Sequence, residues 1–64
     1  MKKTTRNTLP NLDECRRLVA AGDRSGTIDA LNYLIDYRLR RQYELSHLEL
    51  RWIDRAIRIL NDSL

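Results

Sequence analysis

The chain contains no phenylalanine, and only one cysteine, one histidine, one proline and one tryptophan among its 64 residues. Each shortage excludes something. Cys15 alone can form neither an intrachain disulfide nor a cysteine cluster for zinc. His47 alone leaves the common metal and triad geometries without their second member. No metal site and no cofactor is therefore expected. No run approaches the roughly 18 apolar residues of a membrane span. The basic start, Met1-Lys2-Lys3-Thr4-Thr5-Arg6, is followed by no apolar segment of the secretory type. Those two absences set the expectation of a cytoplasmic protein with no membrane partner. There is no glycine-rich phosphate loop and no nucleophile motif. The carboxylates Asp29, Asp36, Glu44, Glu49, Asp54 and Asp62 show no spacing that demands acid–base work. So short a chain also has little room to enclose a catalytic pocket. An enzyme is not expected.

Hydrophobic residues make up 42% of the chain and charged residues 33%, a balance that belongs to a folded domain and not to a disordered one. A core built without phenylalanine must be mostly aliphatic. At this length such a core is marginal on its own. With disulfides and metals excluded, self-association or a partner protein is the expected support. Ten of the twelve cations are arginines, and the net charge is +3. Arginine favours planar, bidentate contact with carboxylates or phosphates, so the bias fits a contact surface of either kind.

The periodicity predicts an all-α fold, a small three-helix domain over residues 9–64 preceded by a loose basic arm over residues 1–8. The arm is read as a solvated terminus, with phosphate contact as the alternative. Asn11 and Glu14 form a candidate capping box for the first helix. Its apolar side is Leu12, Cys15, Leu18 and Val19, and Gly22 stands at the expected stop. Asp23-Arg24-Ser25-Gly26 reads as a short connection, with Ser25 or Thr27 capping the second helix. Ile28, Leu31, Leu34, Ile35 and Leu39 mark that helix's expected inner face, with Ala30, Tyr33 and Tyr37 widening it. Arg38, Arg40 and Arg41 suit the negative end of its dipole, and nothing stops it firmly before Tyr43.

The clearest local signal is Ser46-His47-Leu48-Glu49. It is a capping box, with Leu45 and Leu50 placed to close a hydrophobic staple over the same turn. Leu50, Ile53, Ile57, Leu60 and Leu64 then recur at helical steps. A second row, Leu48, Trp52 and Ala56, runs beside that stripe, and Asp54 is placed to pair with Arg58. The surplus row predicts a partner for Trp52. A symmetric homodimer with a shared helical core is its simplest source.

The candidate partner-binding residues are Trp52, Tyr37, Tyr43, Arg41, Arg51 and Arg55. Trp52 reads as core or as an interface anchor, since large aromatics dominate interface energetics. The arginine rows read as solvated charges, as contacts to an acidic protein, or as a nucleic-acid footprint. Interspersed acids and the lack of a helix-turn-helix pattern disfavour the last. Cys15 reads as a small buried hydrophobe and His47 as an exposed first-turn residue.

Thr27-Ile28-Asp29-x-Leu31 followed by Tyr43-Glu44-Leu45-Ser46-x-x-Glu49-Leu50 resembles the Hha family, small helical bacterial proteins that modulate transcription by binding the nucleoid-associated silencer H-NS. The resemblance implies a nucleoid or transcription factor as partner, and Asp29, Glu44 and Glu49 as possible acidic contacts. The order of helices also looks like that of small connector proteins of two-component and biofilm control. The expected function is thus a non-enzymatic helical regulator, a transcription modulator or adaptor of bacterial or phage origin. The alternatives are a phage-encoded inhibitor of a host defence or polymerase complex, and a nucleic-acid binder using the arginine rows.

Overall fold

A computed structural model describes residues 8–64. Most of the expected basic arm, residues 1–7, lies outside that range. Three helices follow in order: α1, Leu12–Ala20; α2, Arg24–Arg41; and α3, His47–Asp62. The described residues contain no strand, as the all-α reading expects. None of these helices is long and apolar enough to cross a membrane.

α1 begins where Asn11 Oδ1 accepts the Glu14 N–H at 2.8 Å, with Asp13 and Glu14 in the first turn at the positive end of the dipole. It ends in a Schellman arrangement. The Gly22 N–H donates to the Val19 carbonyl and the Asp23 N–H to the Leu18 carbonyl, both at 3.1 Å. Gly22 takes the left-handed conformation this requires, at φ 69°. A Cβ placed there would meet nothing within 4 Å. Its role is therefore conformational and not steric.

Asp23 also starts the next helix. Its Oδ1 accepts the Gly26 N–H at 2.9 Å, and its carbonyl accepts both the backbone N–H of Thr27 at 2.9 Å and the Thr27 hydroxyl at 2.7 Å. This corrects the expectation that Ser25 or Thr27 caps α2. Ser25 and Gly26 belong to the first turn, and Thr27 is buried. Gly26 leaves room for two side chains: a Cβ there would meet the Asp23 carboxylate and lie 2.9 Å from Leu18 Cδ2, so both side-chain ends would have to shift. One aspartate thus closes α1 and opens α2.

α2 stops at Arg41, short of Tyr43. The Arg41 carbonyl accepts the N–H groups of Glu44 and Leu45, which turns the chain. α3 then opens on a complete capping box. Ser46 Oγ accepts the Glu49 N–H at 3.2 Å, and Glu49 Oε1 accepts the Ser46 N–H at 2.9 Å.

The core is Cys15 from α1, Ala30, Leu31 and Leu34 from α2, and Ile53, Ala56 and Leu60 from α3. The most extensive helix–helix contact is α2 with α3, and α1 packs more on α3 than on α2. Pro10 is fully buried as well. Cys15 is inaccessible, as expected of a small apolar residue. The expected inner face of α2 is only half right. Leu31 and Leu34 face inward, but Ile28, Ile35 and Leu39 are 39%, 40% and 60% exposed. The inward row is Thr27, Ala30, Leu31 and Leu34. The surplus apolar surface therefore lies on α2. The row predicted to be surplus on α3 is divided: Ala56 is in the core, Trp52 packs against it half-buried, and Leu48 alone stands out.

Two stability predictions follow from this placement. Gly22→Ala should cost about 1 kcal/mol, the penalty for a Cβ in the left-handed region, read from urea unfolding. Leu34→Ala should cost about 2–5 kcal/mol, whereas Ile35→Ala, one residue on, should cost under about 1 kcal/mol. Equal losses at the two neighbours would show that α2 is rotated from the orientation described.

Candidate functional site: a groove between α1 and α3

α3 turns one side to the core and the opposite side to solvent, so the residues on the border decide what the surface offers. Trp52 sits on that border. Its ring packs against the core cluster and also lines a shallow open groove of about 560 Å³. Leu12 from α1 and Leu48 from the first turn of α3 complete the apolar lining. Arg51, Arg55 and Arg58 line the solvent side of the same groove. A second recess, lined by Asn11, Asp13 and Arg16, continues from it across Leu12 and Trp52.

The three arginines of the groove share one property. Among the described residues, no carboxylate lies within ion-pair distance of any of them, although other arginines are engaged: Arg16 with Asp13, Arg38 with Asp54, Arg40 with Asp36 and Arg41 with Glu44. The expected Asp54–Arg58 pair does not form. Asp54 also lines the groove, but its Oδ1 lies 2.8 Å from Arg38 Nε across the α2–α3 contact. A charge from another helix has displaced the local i, i+4 partner. The Arg38 Nε–H is not directed well enough at Asp54 to count as a hydrogen bond, so the contact is an ion pair only. Because Asp54 is neutralised from the far side, the groove keeps the positive charge of its three arginines.

The residues expected to bind a partner fall into two groups. Trp52, Arg51 and Arg55 meet at the groove. Tyr37, Arg41 and Tyr43 do not line it. Tyr37 stacks on Tyr33 with ring centroids 6.4 Å apart, and the Arg41 guanidinium lies 5.4 Å over the Tyr37 ring. Arg41 also approaches Glu44 at 3.4 Å. That cluster is satisfied within the chain and braces the end of α2. Tyr43, 95% exposed, belongs to the turn that follows.

The possible acidic contacts have local duties in two of three cases: Glu44 pairs with Arg41, and Glu49 closes the capping box. Asp29 is half-buried on α2. His47 is exposed in the first turn of α3, as expected. No group of three or more metal-ligating side chains is found among the described residues.

Sequence reasoning misses Leu12; it places Arg58 in one row with Arg51 and Arg55 but leaves it off the partner-binding residues. Arg58 carried a signal, standing at i+7 from Arg51 on the same row. Leu12 carried none, because it reaches the groove from another helix.

No protein-family model, curated protein or solved structure matches this chain.

The Arg38–Asp54 pair is partly exposed on both sides, so its contribution should be small, about 0.2–1 kcal/mol. A double-mutant cycle of Arg38→Ala and Asp54→Ala should return a coupling in that range that shrinks with added salt. A coupling of several kcal/mol, insensitive to salt, would contradict this geometry.

Proposed function

We propose that this chain is a non-enzymatic helical regulator that acts by binding another protein, as a transcription modulator or adaptor in the cytoplasm. The observation that carries the reading is the groove: an aromatic ring already half-fixed by the core, apolar neighbours from two helices, and three guanidiniums with no carboxylate partner among the described residues. A ring held in place loses little entropy on binding, which is the usual property of an interface anchor. The Hha-like segments support a partner among nucleoid or transcription factors. A phage-encoded inhibitor of a host complex would use the same groove and differs only in its target. Nucleic-acid binding is the second reading, favoured by the same arginines.

Affinity capture from bacterial lysate, with and without nuclease, separates these readings. One stoichiometric protein retained after nuclease treatment is the expected result. Recovery that disappears with nuclease would transfer the function to nucleic acid, and binding would then fall steeply with salt as counterions are released.

Self-association belongs to the same proposal, with a changed location. The outer row of α2, Ile28, Ile35 and Leu39, replaces the Trp52 row as the homodimer contact. Asp29, Asp36 and Arg40 stand along one flank of that row. A two-fold antiparallel pairing centred near Ile35 sets Asp29 of one copy against Arg40 of the other. Ile35→Lys should leave the helical content intact and convert a dimer to a monomer in sedimentation. A wild-type chain that sediments as a monomer at high concentration would remove the dimer.

A further inference from the structure

The chemistry of the groove narrows its occupant. Arg51, Arg55 and Arg58 stand at i, i+4 and i+7, so they spread over about 10 Å of the α3 axis at 1.5 Å per residue. Leu48 and Trp52 run parallel to them one position round the helix, with Leu12 facing from α1. A complementary ligand must offer an apolar row and, alongside it, anionic groups at the same axial spacing. A free anion has no apolar row. A nucleic-acid backbone satisfies the arginines but leaves Leu12 and Leu48 against phosphate and sugar. An amphipathic helix has both rows at the required spacing, because its side chains repeat with the same period as those of α3. Carboxylates also match the planar fork of each guanidinium.

We propose that the α1–α3 groove binds an amphipathic helical segment of another protein, one that carries Asp or Glu beside its apolar row. This rests on the protein-binding reading above and specifies the chemistry of the partner. The docked segment seats its apolar row on Trp52, Leu12 and Leu48, and its acids meet Arg51, Arg55 and Arg58. Asp54 does not repel it, because Arg38 holds that carboxylate from the α2 side at 2.8 Å. The recess past Leu12, where Asp13 and Arg16 pair at 3.8 Å, extends the same surface along α1.

Trp52 is the only tryptophan, so its emission reports the groove directly. The probe is a synthetic amphipathic helical peptide of about five turns, with leucine on one face and glutamate on one flank. Two control peptides replace the glutamates by lysine or the leucines by serine. A short DNA duplex is the fourth titrant. The expected result is a saturable blue shift of Trp52 emission with the leucine–glutamate peptide alone. Arg51→Glu combined with Arg55→Glu should weaken that binding by at least about tenfold, or about 1.4 kcal/mol. Both arginines are exposed and form no ion pair among the described residues, so unchanged circular dichroism should accompany the loss.

Several outcomes overturn the proposal: no response to the leucine–glutamate peptide, an equal response to the leucine–lysine or serine–glutamate peptide, or tighter binding of the duplex. Loss of self-association in the double variant would assign the groove to a second copy and also overturn it. The two levels of the argument stay distinguishable. If a protein captured from lysate binds the double variant as well as the wild type, the groove assignment fails while protein binding stands. If capture vanishes with nuclease, the protein-binding reading itself fails.

Discussion

The rest of the molecule depends on the packing of α2 against α3, the most extensive helix–helix contact of the fold. Ala30 and Ala56 are both fully buried in the cluster that joins these helices. A side chain that ends at Cβ lets two helix backbones come nearer than leucine would, since interaxial distance follows the side chains at the contact. Leu34, Ile53 and Leu60 then fill the space around that contact with no accessible surface of their own. This contact chooses which face of α2 points inward. It places Thr27 and Ala30 inside and leaves Ile28, Ile35 and Leu39 out, although the second set is the more hydrophobic. It also brings Arg38 to Asp54, and so indirectly sets the charge of the groove on the other side of α3.

The joint at Gly22 and Asp23 has a similar economy. A helix of nine residues such as α1 has little stability alone. Its end is fastened by the same two residues that start α2, so α1 cannot unwind its last turn without disturbing the first turn of its neighbour. Gly26 tightens the joint by admitting the Asp23 carboxylate and Leu18 into the space a side chain would occupy. α1 is thereby held where Leu12 can reach Trp52. The groove is consequently built from two helices that are distant in sequence, α1 and α3, with α1 fastened to α2 at its far end.

Local signals were legible in the sequence, and nonlocal ones were not. The capping box at Ser46 and Glu49, the Asn11 cap and the glycine stop at Gly22 were all readable because each involves residues within a turn of each other. The inner face of α2 was not, because that helix carries a wide apolar arc. When Ile28, Leu31, Leu34, Ile35 and Leu39 cover a wide arc, periodicity does not say which part of it is buried. The two alanines that decide it look unremarkable in a list of hydrophobic residues. Asp23 was passed over as a cap because the tighter Schellman turn, which places it at the start of α2, involves a backbone bond to Leu18 five residues earlier. At the candidate site, Trp52, Arg51 and Arg55 were readable from their positions on one helix. Tyr37 and Arg41 were chosen for their chemical type, and the fold uses them on each other.

Trp52 stands between the core and the groove. It packs against the core and lines the groove, so any ligand that covers it also strengthens the contacts that hold α1 on α3. Binding to the folded state alone raises stability with the logarithm of the ligand concentration over its dissociation constant, by about 2.7 kcal/mol at a hundredfold excess. For a core this small, that gain is a large part of the whole. The arginines are differently placed: they line the groove without supporting the core, so under the proposed reading they would select the ligand while Trp52 would set how much the fold gains from it. The division has a physical origin in the angle between the two rows on α3. The row beside α1 is half-covered and must serve two purposes, whereas the row one step further round is free of packing and can be spent entirely on charge.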